Sequence, residues 1–209
     1  MMKTLLDLEN WNRKQHFVHF KQMEEPFFGS TVEIDCTKAY QKAKGLNVSF
    51  FIYYLHKTLV AVNSIENFKY RISGKQIYIN DRIDASATIG REDGTFGFSL
   101  IEYHPDLSIF GKTALAEIER IQNTTGLFTR SFDDDNLIHF SAIPWLNFTS
   151  LSHARSHTFP DSCPKISFGK MITDNGKKTM AMSVHVHHGL MDGLHVGQFV
   201  DLFQELMNQ

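Results

Sequence analysis

The sequence predicts an α+β fold, a two-layer sandwich of helices on a mixed, largely antiparallel β-sheet. Helical and strand-like segments follow one another without the regular strand–helix alternation that a parallel sheet requires. The last helical segment also carries a single apolar stripe, which needs a sheet or another helix to cover it. No repeat, low-complexity tract or Pro/Ser-rich linker divides the chain, so residues 1–209 are expected to form one domain.

The first half of the chain supplies two predicted helices and several strands. Asn10, a favourable N-cap residue, is expected to open a short helix through WNRKQHFVHF. The segment 49–62 is apolar on nearly all sides, which predicts a buried helix beginning at Ser49. Gly-Lys at 74–75 predicts the turn of a hairpin over 70–80. Further strands are predicted at 29–37, 85–90 and 94–103.

The second half is expected to contain, in this order, one long helix, three strands and a closing helix. Pro105 lies near the start and Gly126 after the end of a predicted helix over 105–126. Strands are predicted at 139–150, 166–172 and 178–188. The closing helix is expected from Asp192, with an apolar stripe of Val196, Phe199, Val200, Phe203 and Leu206.

Bulk properties exclude several classes of function. The net charge of −2 gives no electrostatic basis for binding nucleic acid or an anionic membrane. No stretch approaches the ~20 apolar residues that span a bilayer, and the N-terminus does not resemble a signal peptide. The two cysteines, Cys36 and Cys163, lie in unrelated contexts, which favours two free thiols over a disulfide framework. We therefore expect a cytoplasmic protein.

The stretch HVHHGLMDGLHVGQF, residues 185–199, concentrates four histidines and an aspartate. On a strand, His185 and His187 share one face, but two ligands fall short of the three or four that a zinc site uses. We expect no metal and place these two side chains on a partly solvated strand face. His188 would point the other way, from the buried face at the end of the strand. From its context, His188 could be either a hydrogen-bonded core histidine or a catalytic base. Asp192 is a candidate N-cap of the following helix.

The same stretch resembles the HHxxxDG signature of type A chloramphenicol acetyltransferases, continuing into a helix of pattern DGxHVxxF. Five further segments resemble motifs of this family in the same order along the chain: NWNRKQHF (10–17), VEID (32–35), GTFGFSL (94–100), FSAIPWLNFTS (140–150) and ISFGK (166–170). The family shares its fold with the catalytic domains of dihydrolipoyl acyltransferases. The resemblance covers nearly the whole chain.

The resemblance implies roles for four residues. His188 would be the general base, oriented mainly by its own backbone carbonyl, and the Ser141 hydroxyl would donate to the tetrahedral oxyanion. Asp192 would pair with Arg13, and this ion pair would fix the architecture of the site. Acetyl-CoA would be a co-substrate, with no permanently bound cofactor and no acyl-enzyme.

The resemblance also implies a substrate pocket. Acceptor-binding positions fall on Phe20, Glu24, Phe28, Phe96 and Ser167, and Lys170 is a candidate for contact with coenzyme A. Three positions depart from the family pattern, because Phe20 stands in place of a tyrosine, Glu24 in place of a leucine and Ser167 in place of a threonine. A buried carboxylate at position 24 would be costly against an apolar acceptor, so Glu24 either turns outward or indicates a more polar or cationic acceptor.

These residues predict an acetyl-CoA-dependent O-acetyltransferase acting on chloramphenicol or a similar small acceptor. By the same resemblance the protein would be a homotrimer with active sites at subunit interfaces. One alternative is an acetyltransferase for a different small alcohol, thiol or amine. Another is a non-catalytic trimeric binding protein, against which the intact set of His188, Ser141, Asp192 and Arg13 argues.

Overall fold

The computed structural model describes residues 2–132, 135–156 and 161–209, and in this part of the chain it has ten β-strands and five α-helices. The strands are β1 (Lys3–Leu5), β2 (Phe27–Asp35), β3 (Tyr70–Ser73), β4 (Gln76–Asn80), β5 (Asp84–Gly90), β6 (Phe96–Phe98), β7 (Leu137–Ala142), β8 (Lys165–Phe168), β9 (Ile172–Asp174) and β10 (Lys177–His187). The helices are α1 (Lys14–Phe20), α2 (Thr37–Gly45), α3 (Phe50–Ser64), α4 (Leu107–Gln122) and α5 (Gly193–Met207).

The main sheet is mixed, as predicted, and has the strand order β2–β10–β8–β7–β5–β6, with β9 paired to β10. The β5–β7 and β7–β8 pairings are parallel, whereas the remaining pairings are antiparallel. The eleven-residue strand β10 lies between β2 and β8, so it is central to the half of the sheet that carries the histidine-rich stretch.

One face of this sheet packs against the helices and forms the main core. Tyr54 of α3 contacts Phe140 of β7 and Phe168 of β8, and Phe203 of α5 contacts Phe168 as well. All four side chains belong to the same buried cluster. Because side chains alternate along a strand, the neighbours of Phe140 and Phe168 lie on the opposite face, away from the helices.

The predicted 70–80 hairpin is confirmed, but it forms a second sheet instead of joining the first. Strand β4 pairs with β3 on one side and with the short strand β1 on the other. Gly74 in its turn has φ +61°, a conformation that glycine adopts without strain. A smaller cluster of buried side chains lies against this sheet: Phe17, Tyr70, Ile77 and Leu190.

Two expectations for the first half were wrong. Asn10 does not cap a helix, because its side chain donates to Asp7 at 2.7 Å and α1 begins at Lys14. The strand predicted at 29–37 runs instead over Phe27–Asp35, and α2 begins at Thr37. Helix α2 was not predicted, because it buries only two small side chains, Ala39 and Ala43, and so lacks apolar periodicity.

The helix predicted at 49–62 is confirmed as α3, and the one predicted at 105–126 is confirmed as α4, which Asp106 caps. Three predicted strands were too long. The segment 139–150 leaves the sheet after Ala142, just before Pro144, and 94–103 contributes only Phe96–Phe98. The segment 166–172 is divided between β8 and β9.

Candidate active site

The candidate site begins where β10 ends, because His187 is its last residue and a turn over 188–190 follows. The His188 amide donates to the Pro26 carbonyl at 2.8 Å, which ties the turn to the start of β2. Leu190 is buried in the smaller core and Met191 in the main one. The GLM segment between the histidine and the aspartate therefore anchors the turn in both apolar clusters.

The His188 imidazole lies between two phenylalanine rings. The Phe20 ring is nearly parallel to it, with centroids 3.9 Å apart and an interplanar angle of 6°, and the Phe28 centroid lies 4.6 Å away. Among the described residues, the buried Nδ1 atom has no hydrogen-bond partner. The implied orientation of the ring by its own carbonyl is therefore absent, and stacking holds the ring instead. With Nδ1 enclosed, Nε2 is the nitrogen available to a ligand.

Arg13 and Asp192 form an ion pair beside this turn, joining residues 179 positions apart. Arg13 Nη1 lies 2.5 Å from Asp192 Oδ2, and Nη2 donates to the His188 carbonyl at 3.3 Å. The guanidinium is largely buried, with 9% of its side chain exposed against 31% for the carboxylate. Arg13 therefore contacts the backbone of the residue whose imidazole is the candidate base.

Asp192 also begins helix α5. Its carboxylate accepts from the Leu194 amide at 3.0 Å, and the His195 ring lies 2.8 Å away in a reciprocal capping box. Partial burial opposes ionisation of Asp192, but the hydrogen bond and charge of Arg13, together with His195, hold its pKa below the ordinary value. His195 was given no role from the sequence, although its position three residues after a capping aspartate was a usable signal.

His185 is partly exposed, as expected for a partly solvated strand face, whereas His187 is not. They point away from the helices, but His187 is buried, with 4% exposure, whereas a partly solvated face was predicted. Burial lowers the pKa of His187 to about 4, so the ring is neutral at neutral pH. Its Nδ1 accepts the Gly189 amide at 3.1 Å and so supports the turn that carries His188.

Ser141 lies on the face of the sheet opposite the helices, since its neighbour Phe140 is in the main core. It is directly opposite Ser167 of β8, which is opposite Ser183 of β10. Ser167 is fully buried and, among the described residues, its hydroxyl has no hydrogen-bond partner. The sheet register thus brings together Ser141 and Ser167, two of the predicted site residues.

His188 and Ser141 do not meet within one chain. Strand β10 runs four residues from Ser183 to His187, and β8 lies between β10 and β7. At about 3.3 Å per residue and about 4.8 Å between strands, His187 is about 16 Å from Ser141. His188 follows, and its ring contacts Phe28, which lies opposite Val186 on the helix-facing side. The two predicted catalytic groups are thus separated in position and in sheet face.

The predicted acceptor residues do not lie together in one chain, because some contact His188 and others lie towards the opposite edge of the sheet. Phe20 and Phe28 lie against His188. Phe96, 46% exposed, is on β6, at the opposite edge of the sheet from β2. Lys170 follows β8 and is also exposed, and its amide donates to the Leu146 carbonyl at 2.7 Å.

Glu24 is exposed, so this carboxylate turns outward in the chain. It lines a cleft of about 430 Å³ beside the turn of the candidate site. Most of the lining is polar or charged: Lys21, Gln22, Glu24, Arg155, Ser156, Asp161 and His187. Arg155 forms an ion pair with Glu25 and stacks its guanidinium on Phe27, 3.7 Å from the ring centroid.

Within residues 2–132, 135–156 and 161–209, no three His, Cys, Asp or Glu side chains are arranged to hold a metal ion. No helix in the same residues is long and apolar enough to cross a membrane. Cys36 and Cys163 are both free thiols.

Comparison with solved structures places the chain among acyltransferases. A chloramphenicol acetyltransferase superimposes with a TM-score of 0.92 at 32% identity, covering 99% of this chain and 100% of the other. A probable dihydrolipoamide acetyltransferase from Listeria monocytogenes shares the fold, with a TM-score of 0.68 at 13% identity over 93% of this chain and 88% of the other. The fold is therefore that of the acyltransferases that these two structures represent.

The sequence comparisons narrow this class to one family. A model of the chloramphenicol acetyltransferase family matches residues 1–204. Chloramphenicol acetyltransferase 3 of Escherichia coli is 28% identical over 100% of this chain and 98% of its own length. The chloramphenicol acetyltransferase of Bacillus pumilus is 26% identical over 95% of this chain and 91% of its own. The chain belongs to the chloramphenicol acetyltransferase family and is an acyltransferase.

Proposed function

We propose that this protein transfers the acetyl group of acetyl-CoA to a hydroxyl of chloramphenicol or a similar small acceptor. The observation that carries the proposal is His188 itself. Its ring is held between Phe20 and Phe28, and its backbone is held by Arg13 and Pro26, so that only Nε2 is open to a ligand. An imidazole fixed in this way is suited to general base catalysis, because its open nitrogen can accept the proton of a bound hydroxyl.

The transfer needs only a base and an oxyanion donor. Nε2 of His188 takes the hydroxyl proton while the acceptor oxygen attacks the thioester carbonyl. The tetrahedral oxyanion accepts a hydrogen bond from the Ser141 hydroxyl. When this intermediate collapses, the carbon–sulfur bond breaks, the imidazolium returns the proton to the departing thiolate, and the products are the acetyl ester and coenzyme A. These reaction steps involve no acyl-enzyme and no permanently bound cofactor.

We further propose that the site is shared between subunits of a homotrimer. The separation of about 16 Å between His187 and Ser141 supports this, since the base and the oxyanion donor cannot act together within one chain. A second copy would supply the missing half to each site. Exposed apolar side chains near the Ser141 end of the sheet, Phe96, Trp145 and Leu146, are available for burial against another subunit.

The test is release of coenzyme A thiol by the purified protein with acetyl-CoA and chloramphenicol, followed with a chromogenic disulfide. His188→Ala should abolish release above background, and Ser141→Ala should lower kcat by about 10²–10³. The result that contradicts resistance activity is a wild-type rate with chloramphenicol equal to that of His188→Ala. If no alcohol, thiol or amine in a panel is acetylated either, the proposed acetyl transfer is contradicted and the alternative of a non-catalytic binding protein is favoured.

A further inference from the structure

His195 lies next to the ion pair that supports the turn of the candidate site. It is the third residue of helix α5, and 16% of its side chain is exposed. Its Nδ1 lies 2.8 Å from Asp192 Oδ1 and 3.2 Å from the Asp192 backbone nitrogen. The carboxylate and the backbone amide of one residue therefore compete for a single ring nitrogen.

The two contacts require opposite hydrogen states at Nδ1. A ring nitrogen that carries hydrogen donates, whereas one without hydrogen accepts from the amide. Partial burial opposes ionisation of Asp192, but the hydrogen bond and charge of Arg13 keep its pKa below the ordinary value, so the carboxylate is ionised at neutral pH. An ionised carboxylate can only accept. The shorter contact is therefore a charge-assisted bond in which His195 Nδ1–H is the donor.

The two oxygens of Asp192 divide their partners between helix α5 and the candidate site. Oδ1 accepts from His195 and, at 3.0 Å, from the Leu194 amide. Oδ2 accepts from Arg13 Nη1 at 2.5 Å. Rotation of a carboxylate about its Cβ–Cγ bond is broad unless contacts restrict it. Donors on both oxygens restrict it here, so the His195 hydrogen helps to aim Oδ2 at the guanidinium.

The position of the Arg13 guanidinium depends on this carboxylate. Among the described residues, the buried Nε of Arg13 has no hydrogen-bond partner. Nη1 bonds to Asp192, and Nη2 donates to the His188 carbonyl at 3.3 Å. The bond to the carbonyl is already longer than the usual 2.7–3.2 Å, so a small shift of the guanidinium would break it.

The His188 ring has little else to fix it along the plane of its stack. Its Nδ1 has no hydrogen-bond partner among the described residues, and the ring stacks on Phe20 at 3.9 Å. Offset stacking is compatible with a range of ring positions. The backbone of His188, held by Arg13 and by the Pro26 carbonyl, therefore decides where Nε2 lies.

We propose that His195 is a positioning residue for the base of the proposed transfer, an inference that rests on the proposed function. Its Nδ1–H fixes the Asp192 carboxylate and, through it, the Arg13 guanidinium. Arg13 in turn holds the His188 carbonyl and so sets the place of Nε2. A capping role alone would need only an acceptor for the Asp192 amide, which glutamate supplies at this helix position. The positioning role needs a donor.

Three variants separate donation from capping. His195→Asn keeps an N–H as many bonds from the backbone as Nδ1, His195→Leu has neither donor nor acceptor, and His195→Glu accepts the amide but cannot donate. With acetyl-CoA and chloramphenicol, we expect thiol release by the full-length protein to show kcat lowered by about tenfold or more in His195→Leu and His195→Glu. His195→Asn should lose less than about threefold. KM for both substrates should change by less than about threefold in all three, since no substrate contact is removed.

NMR of isotope-labelled histidines reads the position of the base without turnover. The ring current of Phe20 makes the His188 signals sensitive to the stacking geometry. These signals should move in His195→Leu and His195→Glu and stay in place in His195→Asn. Asp106→Ala, which removes the cap of α4, is the control for lost helix capping. It should lower the melting temperature and leave both kcat and the His188 signals unchanged.

Wild-type kcat in His195→Glu overturns the inference, since capping would then be enough. A lowered kcat with unmoved His188 signals also overturns it, and so does a loss in His195→Asn equal to that in His195→Leu. If the wild-type protein releases no thiol with any acceptor, the proposed function is contradicted. The His188 signals then decide the positioning role separately, because signals that do not move in His195→Leu overturn it.

Discussion

At the scale of single residues, the ion pair between Arg13 and Asp192 connects the site to the rest of the chain. Asp192 has three roles at once, because it neutralises a buried guanidinium, caps α5 and pairs with the His195 ring, 2.8 Å away, in the capping box. The sequence pattern located both residues, and the family resemblance suggested their pairing. Neither could show that Arg13 also donates a hydrogen bond to the His188 carbonyl, because that contact depends on where the turn lies in three dimensions.

Removing the carboxylate should therefore weaken the fold as well as the site. Asp192→Ala leaves the Arg13 charge buried without its partner, so we expect the free energy of unfolding to fall by about 2–3 kcal/mol. This loss is smaller than for a fully buried ion pair, because 31% of the Asp192 side chain is exposed to solvent. Urea denaturation measures this, with Asp201→Ala on the exposed side of α5 as the control. The double variant with Arg13→Ala should lose less than the sum of the single changes, and strict additivity would refute the coupling.

At the scale of elements, the pairing of β2 with β10 sets the position of the turn that carries His188. The two strands pair from Asp35 and Thr179 at one end to Phe27 and His187 at the other. At Gly29, opposite His185, a Cβ atom would lie 2.7 Å from His185 Cε1 and closer still to two other ring atoms. Glycine at this position makes room for the imidazole.

Gly29→Ala should accordingly destabilise the protein. His185 is held by Ser183 at 3.3 Å and packs on His153, so the ring cannot move aside freely, and we expect a loss of about 1–3 kcal/mol in the free energy of unfolding. Gly45→Ala is the control, because nothing lies within 4 Å of its Cβ and it ends helix α2. The control should be neutral or slightly stabilising, by up to about 1 kcal/mol. Adding His185→Ser should relieve the Gly29→Ala defect, and a failure to do so would show that the strain lies elsewhere.

Long elements with strong periodicity were predictable, and short or weakly patterned ones were not. Helix α3 was found because it is apolar on nearly all sides. The end of β7 at Ala142 was missed because the residues that follow remain apolar, and periodicity cannot show where a strand stops pairing. The features of the candidate site also differed in how well the sequence predicted them. His188 and its neighbours could be located by motif, but the burial of His187 and the stacking of Phe20 depend on tertiary packing.

At the scale of the whole molecule, the proposal that the site is shared between the subunits of a trimer can be tested by mixing subunits. His188→Ala and Ser141→Ala should each be nearly inactive alone, yet under this proposal a mixed trimer would contain one interface where an intact His188 faces an intact Ser141. We expect random mixing in equal amounts to restore about a quarter of the wild-type specific activity. Co-expression followed by separation of differently tagged trimers measures this. The control replaces Ser141→Ala with the double variant, which should restore nothing. Absence of recovery in verified mixed trimers would exclude a site shared in this way.

Stability should also depend on pH through the buried histidines. Burial lowers the pKa values of four of them: His56, His153, His185 and His187. A lowered folded pKa means that the unfolded chain binds more protons below about pH 6.5, so stability falls as pH drops from there towards 4. For His187, whose pKa is about 4, the full effect is about 3 kcal/mol at 1.36 kcal/mol per pKa unit.

Urea denaturation between pH 7.5 and 4.5 measures this dependence. The free energy of unfolding should decline over that range, and His187→Gln should flatten the decline because glutamine does not titrate. His16→Gln, at an exposed position on α1, should leave the slope unchanged. A constant free energy of unfolding across the range would show that these rings titrate normally in the folded protein.

The pairing of β2 with β10 has a consequence for the order of events during synthesis. Strand β2 is complete by residue 35, but its only partner strand in the described residues extends to residue 187. A growing chain thus carries β2 without its hydrogen-bonding neighbour until most of the protein has been made. An unpaired strand is a template for association with other chains. Chains that are released before β10 has been made should therefore aggregate and should not yield folded protein.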